Sequence, residues 1–191
     1  MGKDLTEITD DELVRRAAGG DQASWGGLVD RHLAPVVGFA WYRLGDRAEA
    51  EDIAQETLLR FSKKAPDWEP GGAKVRTWLY HVAGNLCIDR LRARKPETPI
   101  EDAEETAVID FQPHLDGRLD ARRVLHKALA ALPDRQQIVL ILAYYQGYTV
   151  NEAAEILGVS EHAAESLLAR ARRAMRAALE PMREDLIGTA R

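Results

Sequence analysis

Residues 149–173 read TVNEAAEILGVSEHAAESLLARARR, and this stretch predicts two short helices joined by a sharp turn. Thr149 and Glu152 have the spacing of a capping box at the start of the first helix. Gly158 supplies the turn, and Ser160 can cap the second helix. A helix start, a helix end and a second helix start at these positions are typical of a helix-turn-helix.

Apolar residues recur in this stretch at the positions where the two helices of a helix-turn-helix pack against each other. A small residue, Ala154, lies where the two helices approach most closely. The apolar set is Ala153, Leu157, Val159, Ala164 and Leu167. The second helix continues into a run of cations that suits DNA phosphate: Arg170, Arg172, Arg173 and Arg176. We interpret it as a DNA recognition helix. The alternative is an ordinary helical hairpin with a solvated basic face.

The bulk composition favours an all-α protein of two small helical domains. The chain has 191 residues, of which 46% are hydrophobic and 30% charged, as in globular proteins. It has neither an apolar run long enough for a membrane span nor a signal peptide, so we expect a cytoplasmic protein. The single cysteine, Cys87, suits a reducing compartment, and the five histidines lack zinc spacing. We therefore expect no metal and no cofactor.

Charge is segregated along the chain, although the net charge is −5. Residues 76–96 hold 5 basic and 1 acidic side chains, and residues 166–176 hold 4 basic and none acidic. Residues 1–56, by contrast, hold 6 basic and 12 acidic side chains. Two basic helices in an acidic protein can serve as two separate DNA contacts.

Three helices are predicted before residue 65. Thr9 and Glu12 form a capping box that opens a short helix, and Asp21 caps a longer one that Pro35 should bend. A third helix follows Asp46, with a buried face of Ala50, Ile53, Ala54, Thr57, Leu58 and Phe61. Its outer face is acidic with one apolar side chain, and consists of Glu49, Asp52, Gln55, Glu56 and Leu59. The alternative for this outer face is a solvated helix surface.

A loop at 65–75, rich in Pro and Gly, precedes a fourth helix that begins at Arg76. Its inward residues are Trp78, Leu79, Val82, Leu86 and Leu91, and we interpret Trp78 and Cys87 as core. The other side carries an aromatic ring, an amide and several cations: Arg76, Tyr80, His81, Asn85, Arg92 and Arg94. Such a surface beside a flexible loop is typical of a site for unstacked bases.

Residues 96–117 are predicted to be a linker between the two domains. This segment has three prolines, and residues 97–116 hold seven acidic side chains and no basic ones. We expect it to be mobile and to keep the domains apart in the free protein. The second domain, 118–191, begins with a helix over 119–132, followed by one that starts at Pro133 and ends at Gly147.

The motifs RAEAEDIAQETLLRF, RTWLYHVAGNLCIDRLRARK, LPDRQQIVLILAYYQGYT and the helix-turn-helix, in this order, resemble bacterial RNA polymerase sigma factors of the extracytoplasmic-function (ECF) type. The resemblance covers nearly the whole chain. It implies a promoter-specificity subunit without catalytic residues. Residues 1–95 would bind core polymerase and melt the minus-ten element, residues 118–191 would read the minus-thirty-five element, and an anti-sigma protein would be a further partner.

Residue by residue, Asp52, Gln55, Glu56 and Leu59 match the clamp-binding helix of the family, and Asn85 matches its base-contacting Asn. The resemblance therefore assigns the outer side of the fourth helix, Arg76, Tyr80, His81, Asn85, Arg92 and Arg94, to minus-ten DNA. It assigns to minus-thirty-five DNA the residues Ser160, Glu161, His162, Glu165, Ser166, Arg170 and Arg173.

The recognition helix departs from the family at Ala164, Glu165 and Leu167, where members often have Val, Lys and Arg. A glutamate can accept from cytosine N4 but repels phosphate. The chain would then read a different minus-thirty-five sequence or rely on Arg170 and Arg173. Two other hypotheses are a dimeric helix-turn-helix repressor and an interaction protein that sequesters a regulator without reading DNA.

Overall fold

The computed structural model describes residues 8–94 and 119–182, which contain eight α-helices and no strand. The helices are α1 (Asp10–Ala18), α2 (Gln22–Leu44), α3 (Arg47–Lys64), α4 (Val75–Arg94), α5 (Leu119–Ala130), α6 (Asp134–Tyr145), α7 (Val150–Leu157) and α8 (Glu161–Leu179). Short 3-10 turns occupy Ala65–Asp67 and Glu180–Met182. The linker predicted at 96–117 lies outside the described residues. The all-α prediction with two helical domains, α1–α4 and α5–α8, is confirmed.

Local capping sets most helix starts where the sequence predicts them. The Asp21 and Asp46 carboxylates accept from Ala23 N and Glu49 N at the starts of α2 and α3. Thr9 Oγ1 accepts from Glu12 N at 3.4 Å, so α1 has its N-cap. The Glu12 carboxylate, however, binds Arg15 and Arg16 at 2.7 Å and not the cap residue. An intrahelical ion pair has replaced the reciprocal half of this capping box.

The first domain packs α1, α3 and α4 around α2. Its largest fully buried side chains include Leu28, Phe39, Phe61 and Leu79. The sequence predicts that Pro35 bends α2; the helix runs through this residue without a break from Gln22 to Leu44. Trp78 packs its ring against Phe61 at 5.3 Å, which agrees with the predicted core role.

The second domain ends in the predicted helix-turn-helix. Thr149 Oγ1 accepts from Glu152 N at 3.2 Å, and Glu152 Oε2 accepts from Thr149 N at 3.1 Å, so this capping box is complete. Gly158 has φ +62° and ends α7 in the left-handed conformation that glycine adopts without strain. Ser160 caps α8 by accepting from Ala163 N. The local chemistry of this motif is therefore as predicted.

The two domains pack against each other, so the prediction that they stay apart is wrong for this structure. Helices α2 and α4 contact α5, α6 and α7. The physical reason lies in α6, whose consecutive residues 138–142 are all buried. A helix that is apolar on every side needs neighbours on every side, and α8 covers only part of it. Gly84 of α4 faces Ile138 of α6, since a Cβ atom built at Gly84 would lie 3.6 Å from Ile138 Cδ1.

Candidate nucleic-acid and polymerase interfaces

The outer face of α3 is exposed and acidic, as predicted, over Asp52, Gln55, Glu56 and Leu59. Leu59 is 55% exposed, and with Tyr144 and Tyr145 it is one of three exposed large apolar side chains in the described residues. Glu56 binds Arg60 one turn further on, with 2.7 Å between Oε1 and Nε. This pair is solvent-exposed and contributes little to stability, so the carboxylate can exchange partners at low cost.

Glu49 does not belong to this open face. Its carboxylate accepts from Arg94 and lies 3.7 Å from Nη1 of Arg90, both on α4. Arg94 also donates to the Leu44 backbone oxygen at 3.1 Å. The sequence left Glu49 and Arg94 on separate exposed faces, whereas the structure joins them across α3 and α4. Arg92 remains exposed.

An apolar groove of about 440 Å³ runs between α2 and α3, beside the acidic face. Val29, Leu33, Val37 and Trp41 of α2 line it on one side, and Arg47, Glu51 and Gln55 of α3 line it on the other. The groove and Leu59 together give this side of the first domain an apolar surface next to carboxylates. Such a combination can bind a helix that carries both apolar and basic side chains.

Tyr80 is the clearest correction on α4, because it is 4% exposed and not on an open surface. Its hydroxyl donates to Gln146 Oε1 at 2.8 Å, and its ring lies edge-on to Phe39 and Tyr148, each at 5.2 Å. Burial raises the pKa of Tyr80 far above its ordinary value. In this arrangement the second domain covers the ring, which cannot stack on a base.

His81 and Asn85 form a short network that reaches the second domain. His81 Nδ1 lies 3.0 Å from the Ile156 backbone oxygen, and its Nε2 lies 3.2 Å from Asn85 Nδ2. A carbonyl oxygen can only accept, so the proton is on Nδ1 and Nε2 accepts from the Asn85 amide. The Asn85 side chain is thus oriented by His81 while it remains exposed to solvent.

The start of α4 carries an ion pair between the domains. Glu152 Oε1 lies 3.1 Å from Lys74 Nζ and also accepts from Arg76. The Arg76 guanidinium stacks over the Tyr148 ring, 4.7 Å from its centroid. The pKa of Glu152 is lowered by the hydrogen bond from the Thr149 backbone N–H, with further contributions from Lys74 and Arg76. One carboxylate therefore caps α7 and binds two cations of the first domain.

A cavity of about 640 Å³ opens beside this ion pair. Residues 71–74 of the loop and the start of α4 line one side, and Gln146 and Tyr148 of the second domain line the other. Arg31 and His32 of α2 also line it, together with Asp10 and Asp11, and the Asp10 carboxylate binds both Arg31 and His32. A space of this size between a glycine-containing loop and several cations can admit a nucleotide-sized group.

The recognition-helix face of α8 is open, in contrast to that of α4. The exposed residues there are Ser160, Glu161, His162, Glu165, Arg170 and Arg173, whereas Ser166 is half-buried. His162 Nδ1 and a Glu165 oxygen are 3.8 Å apart. All but one of the predicted minus-thirty-five residues thus form an accessible surface on one helix.

The part of the chain that the structure describes holds no cluster of three or more His, Cys, Asp or Glu side chains able to bind a metal ion. None of its helices combines the length and the hydropathy that a membrane span requires. Cys87 is buried, as the core interpretation requires, and burial raises the pKa of its thiol to about 12.

Two sequence families match the chain, one in each domain. Sigma-70 region 2 matches residues 28–97, and Sigma-70, region 4 matches residues 122–175. The ECF RNA polymerase sigma factor SigL of Mycobacterium tuberculosis is 30% identical over 171 residues, which cover 88% of this chain and 96% of SigL. The chain belongs to the ECF RNA polymerase sigma factors.

A further ECF sigma factor and two solved structures are also similar to the chain. SigW of Bacillus subtilis is 29% identical over 181 residues, covering 88% of this chain and 96% of SigW. The structure of CnrH in complex with the cytosolic domain of CnrY has a TM-score of 0.72 at 26% identity, covering 90% of this chain and 97% of CnrH. The structure of sigma factor RpoE of Bartonella quintana in complex with the anti-sigma factor NepR has a TM-score of 0.63 at 25% identity. The match covers 80% of this chain and 94% of RpoE.

Family membership makes the chain a transcription initiation factor and favours this hypothesis over a dimeric repressor or a sequestering protein. The structure shows which of the three residues that depart from the family in the recognition helix can reach DNA. Ala164 is fully buried and Leu167 is half-buried against the core, so both are packing residues. Only Glu165 of the three departures is exposed.

The residues that join the two domains of this sigma factor were not predicted from its sequence. Arg43 of α2 has no exposed side-chain surface; it pairs with Asp134 at 2.9 Å and donates to Gln137. The sequence contained a clue to this burial, because Arg43 follows Val36, Phe39 and Ala40 at helical spacing on the buried side of α2. A charged residue on such a stripe indicates a buried partner.

Proposed function

We propose that this sigma factor binds core RNA polymerase through α3 and directs initiation at a set of stress- or signal-responsive promoters, under the control of an anti-sigma protein. The domain boundaries proposed are 1–95 and 118–191, with a linker between them. The protein acts in the cytoplasm and catalyses no reaction, because the polymerase supplies the chemistry. The match of both sigma regions, in order, carries this proposal.

The proposed polymerase contact is the exposed set Asp52, Gln55, Glu56 and Leu59. Leu59 supports it, since exposing a leucine to water costs free energy that an apolar partner would recover. The carboxylates beside it favour a partner with basic side chains. The groove between α2 and α3 can extend the contact on the Gln55 side.

Charge reversal tests this contact. The Asp52→Lys/Glu56→Lys variant is expected to bind core polymerase at least about tenfold more weakly, because two attractive pairs become repulsive. A Glu69→Lys/Asp89→Lys variant changes the net charge equally at exposed positions away from α3 and should bind normally. Affinity is measured by titration of labelled protein, with circular dichroism as a check of folding. Equal loss in both variants would contradict the assignment.

The proposed minus-ten contact uses Asn85 for a base and Arg92 for the backbone. Asn85 presents a donor and an acceptor from an exposed helix position, which suits a base edge that has left the stack. Arg92 is exposed about two turns further on, where a cation can follow the phosphates. On α8, Arg170 and Arg173 offer the same kind of backbone contact at the minus-thirty-five element.

Asn85→Ala is expected to cost about 1–3 kcal/mol at the preferred minus-ten base and to flatten discrimination at that position alone. The matched variant Arg92→Ala should weaken all promoters alike and reduce the salt dependence of binding. The measurement is run-off transcription with core polymerase on a set of single-base minus-ten variants. If Asn85→Ala loses activity equally on every variant, Asn85 does not read a base.

Control by an anti-sigma protein is supported by the fold shared with RpoE, which was solved with its anti-sigma factor NepR. The test starts from capture of the tagged full-length chain from the cells that make it. A captured protein that abolishes run-off transcription when added back is the inhibitor. A captured set without such activity would remove this part of the proposal.

A further inference from the structure

We propose that Lys74 and Arg76 form a site for a backbone phosphate of single-stranded DNA, and that the Glu152 carboxylate occupies this site while the two domains are packed together. The inference rests on the proposed function, because it takes α4 as the element that meets the melted promoter strand. Lys74 thereby has a role that its sequence context did not predict, and Glu152, a capping residue of the second domain, has a regulatory one.

The chemistry of the contact is that of a phosphate site. Lys74 Nζ and the Arg76 guanidinium converge on one carboxylate oxygen, Oε1 of Glu152. Both cations lie in or just before the first turn of α4, where unpaired backbone N–H groups and the helix dipole favour an anion. A phosphate oxygen has the same charge and accepts the same hydrogen bonds as the carboxylate oxygen. Glu152 therefore stands where a DNA phosphate would bind.

The surroundings of the pair allow exchange of one anion for another. Lys74 is 59% and Arg76 40% exposed in their side chains, whereas Glu152 is only 19% exposed. The cations thus remain reachable from solvent, and the cavity of about 640 Å³ lies beside them. Exposed ion pairs are weak, so a polyanion that offers several phosphates can displace a single carboxylate.

The closed arrangement covers one DNA surface and leaves the other open. Tyr80 is buried under Gln146 and Tyr148, and His81 binds the Ile156 carbonyl, so α4 is engaged by the second domain. On α8, Arg170 and Arg173 remain exposed. The free protein would then have an accessible minus-thirty-five surface, whereas the first part of the minus-ten surface, from Lys74 to His81, is occupied by the second domain. Premature binding to single strands is suppressed, while the duplex element can still be found.

The Glu152→Gln substitution removes the negative charge at this position but keeps the helix cap. Glutamine at the third helical position preserves a capping box with Thr149, so α7 keeps its start. The amide cannot neutralise Lys74 and Arg76, and its NH₂ group opposes their N–H donors. The control is Glu155→Gln, which removes the same charge from an exposed position one turn further along α7.

The assay measures fluorescence anisotropy of labelled oligothymidine of about 20 nucleotides with the full-length protein at about 50 mM salt. Glu152→Gln is expected to bind about three- to tenfold more tightly than the wild type, and Glu155→Gln to change by less than about twofold. In a Lys74→Ala/Arg76→Ala background, Glu152→Gln should give no gain, because the site it uncovers is absent.

Three outcomes would overturn the inference. Equal gains for Glu152→Gln and Glu155→Gln would indicate a net-charge effect, and no gain for either would indicate that Glu152 does not compete with DNA. A gain that persists without Lys74 and Arg76 would place the phosphate elsewhere. Because no polymerase is present, these failures are distinct from failure of the proposed function, which appears as absence of promoter-directed transcription with core enzyme.

Discussion

Replacement of Arg43 by leucine is expected to lower the free energy of unfolding by about 2–4 kcal/mol, the largest stability effect of any single charged residue described above. The Arg43 side chain has no exposed surface, and its Nη2 atom lies 2.9 Å from Asp134. The other terminal nitrogen donates to the buried Gln137. Leucine would leave the Gln137 carbonyl without this partner, in a site that water does not reach.

A double-mutant cycle separates this cost from simple loss of packing. The Arg43→Leu/Gln137→Leu protein should recover most of the lost stability, since replacing both buried polar partners by apolar groups is often neutral. Arg60→Leu serves as the exposed control and should cost less than about 0.5 kcal/mol. Urea unfolding followed by circular dichroism gives the free energy of unfolding of the wild type, Arg43→Leu, Gln137→Leu, the double variant and the Arg60→Leu control. Costs that simply add for Arg43 and Gln137 would show that the two do not stabilise each other.

Elements whose geometry depends on near neighbours in the chain were predictable. Thr149, Glu152, Gly158 and Ser160 act within four residues of themselves, and each has the predicted role. The exposed face of α3 was predictable for the same reason, because helical periodicity fixes which side chains share a side. Glu12 shows the limit of this reasoning, since two arginines in the same helix compete for its carboxylate.

Contacts between the domains were not predictable from periodicity. Tyr80 has a polar hydroxyl and sits among cations in the sequence, so an exposed position was expected. Its burial depends on Gln146, which is distant in the chain and accepts from the hydroxyl. Likewise, Gly84 has no side chain and therefore adds nothing to the hydrophobic periodicity of α4. Its role becomes visible only when Ile138 of α6 is placed against it.

Gly84→Leu is expected to separate the domains, the largest conformational effect among the predictions. A Cβ atom at this position would lie 3.6 Å from Ile138 Cδ1 and 3.9 Å from Phe39 Cζ, which is ordinary contact. The three further carbons of leucine have no space between these side chains, and overpacking of this kind costs about 1–3 kcal/mol. Separation of α4 from α6 relieves the strain. The radius of gyration from small-angle X-ray scattering should rise by about 3–6 Å.

Two matched variants decide whether the leucine acts as a wedge between the domains. Gly84→Ala adds only the Cβ atom and improves helix propensity by about 1 kcal/mol, so it should remain closed and be more stable. Gly84→Leu/Ile138→Ala provides space on the α6 side and should close again. If the double variant stays open, the leucine disrupts the first domain through Phe39. If Gly84→Leu itself remains as compact as the wild type, leucine at this position does not act as a wedge between α4 and α6.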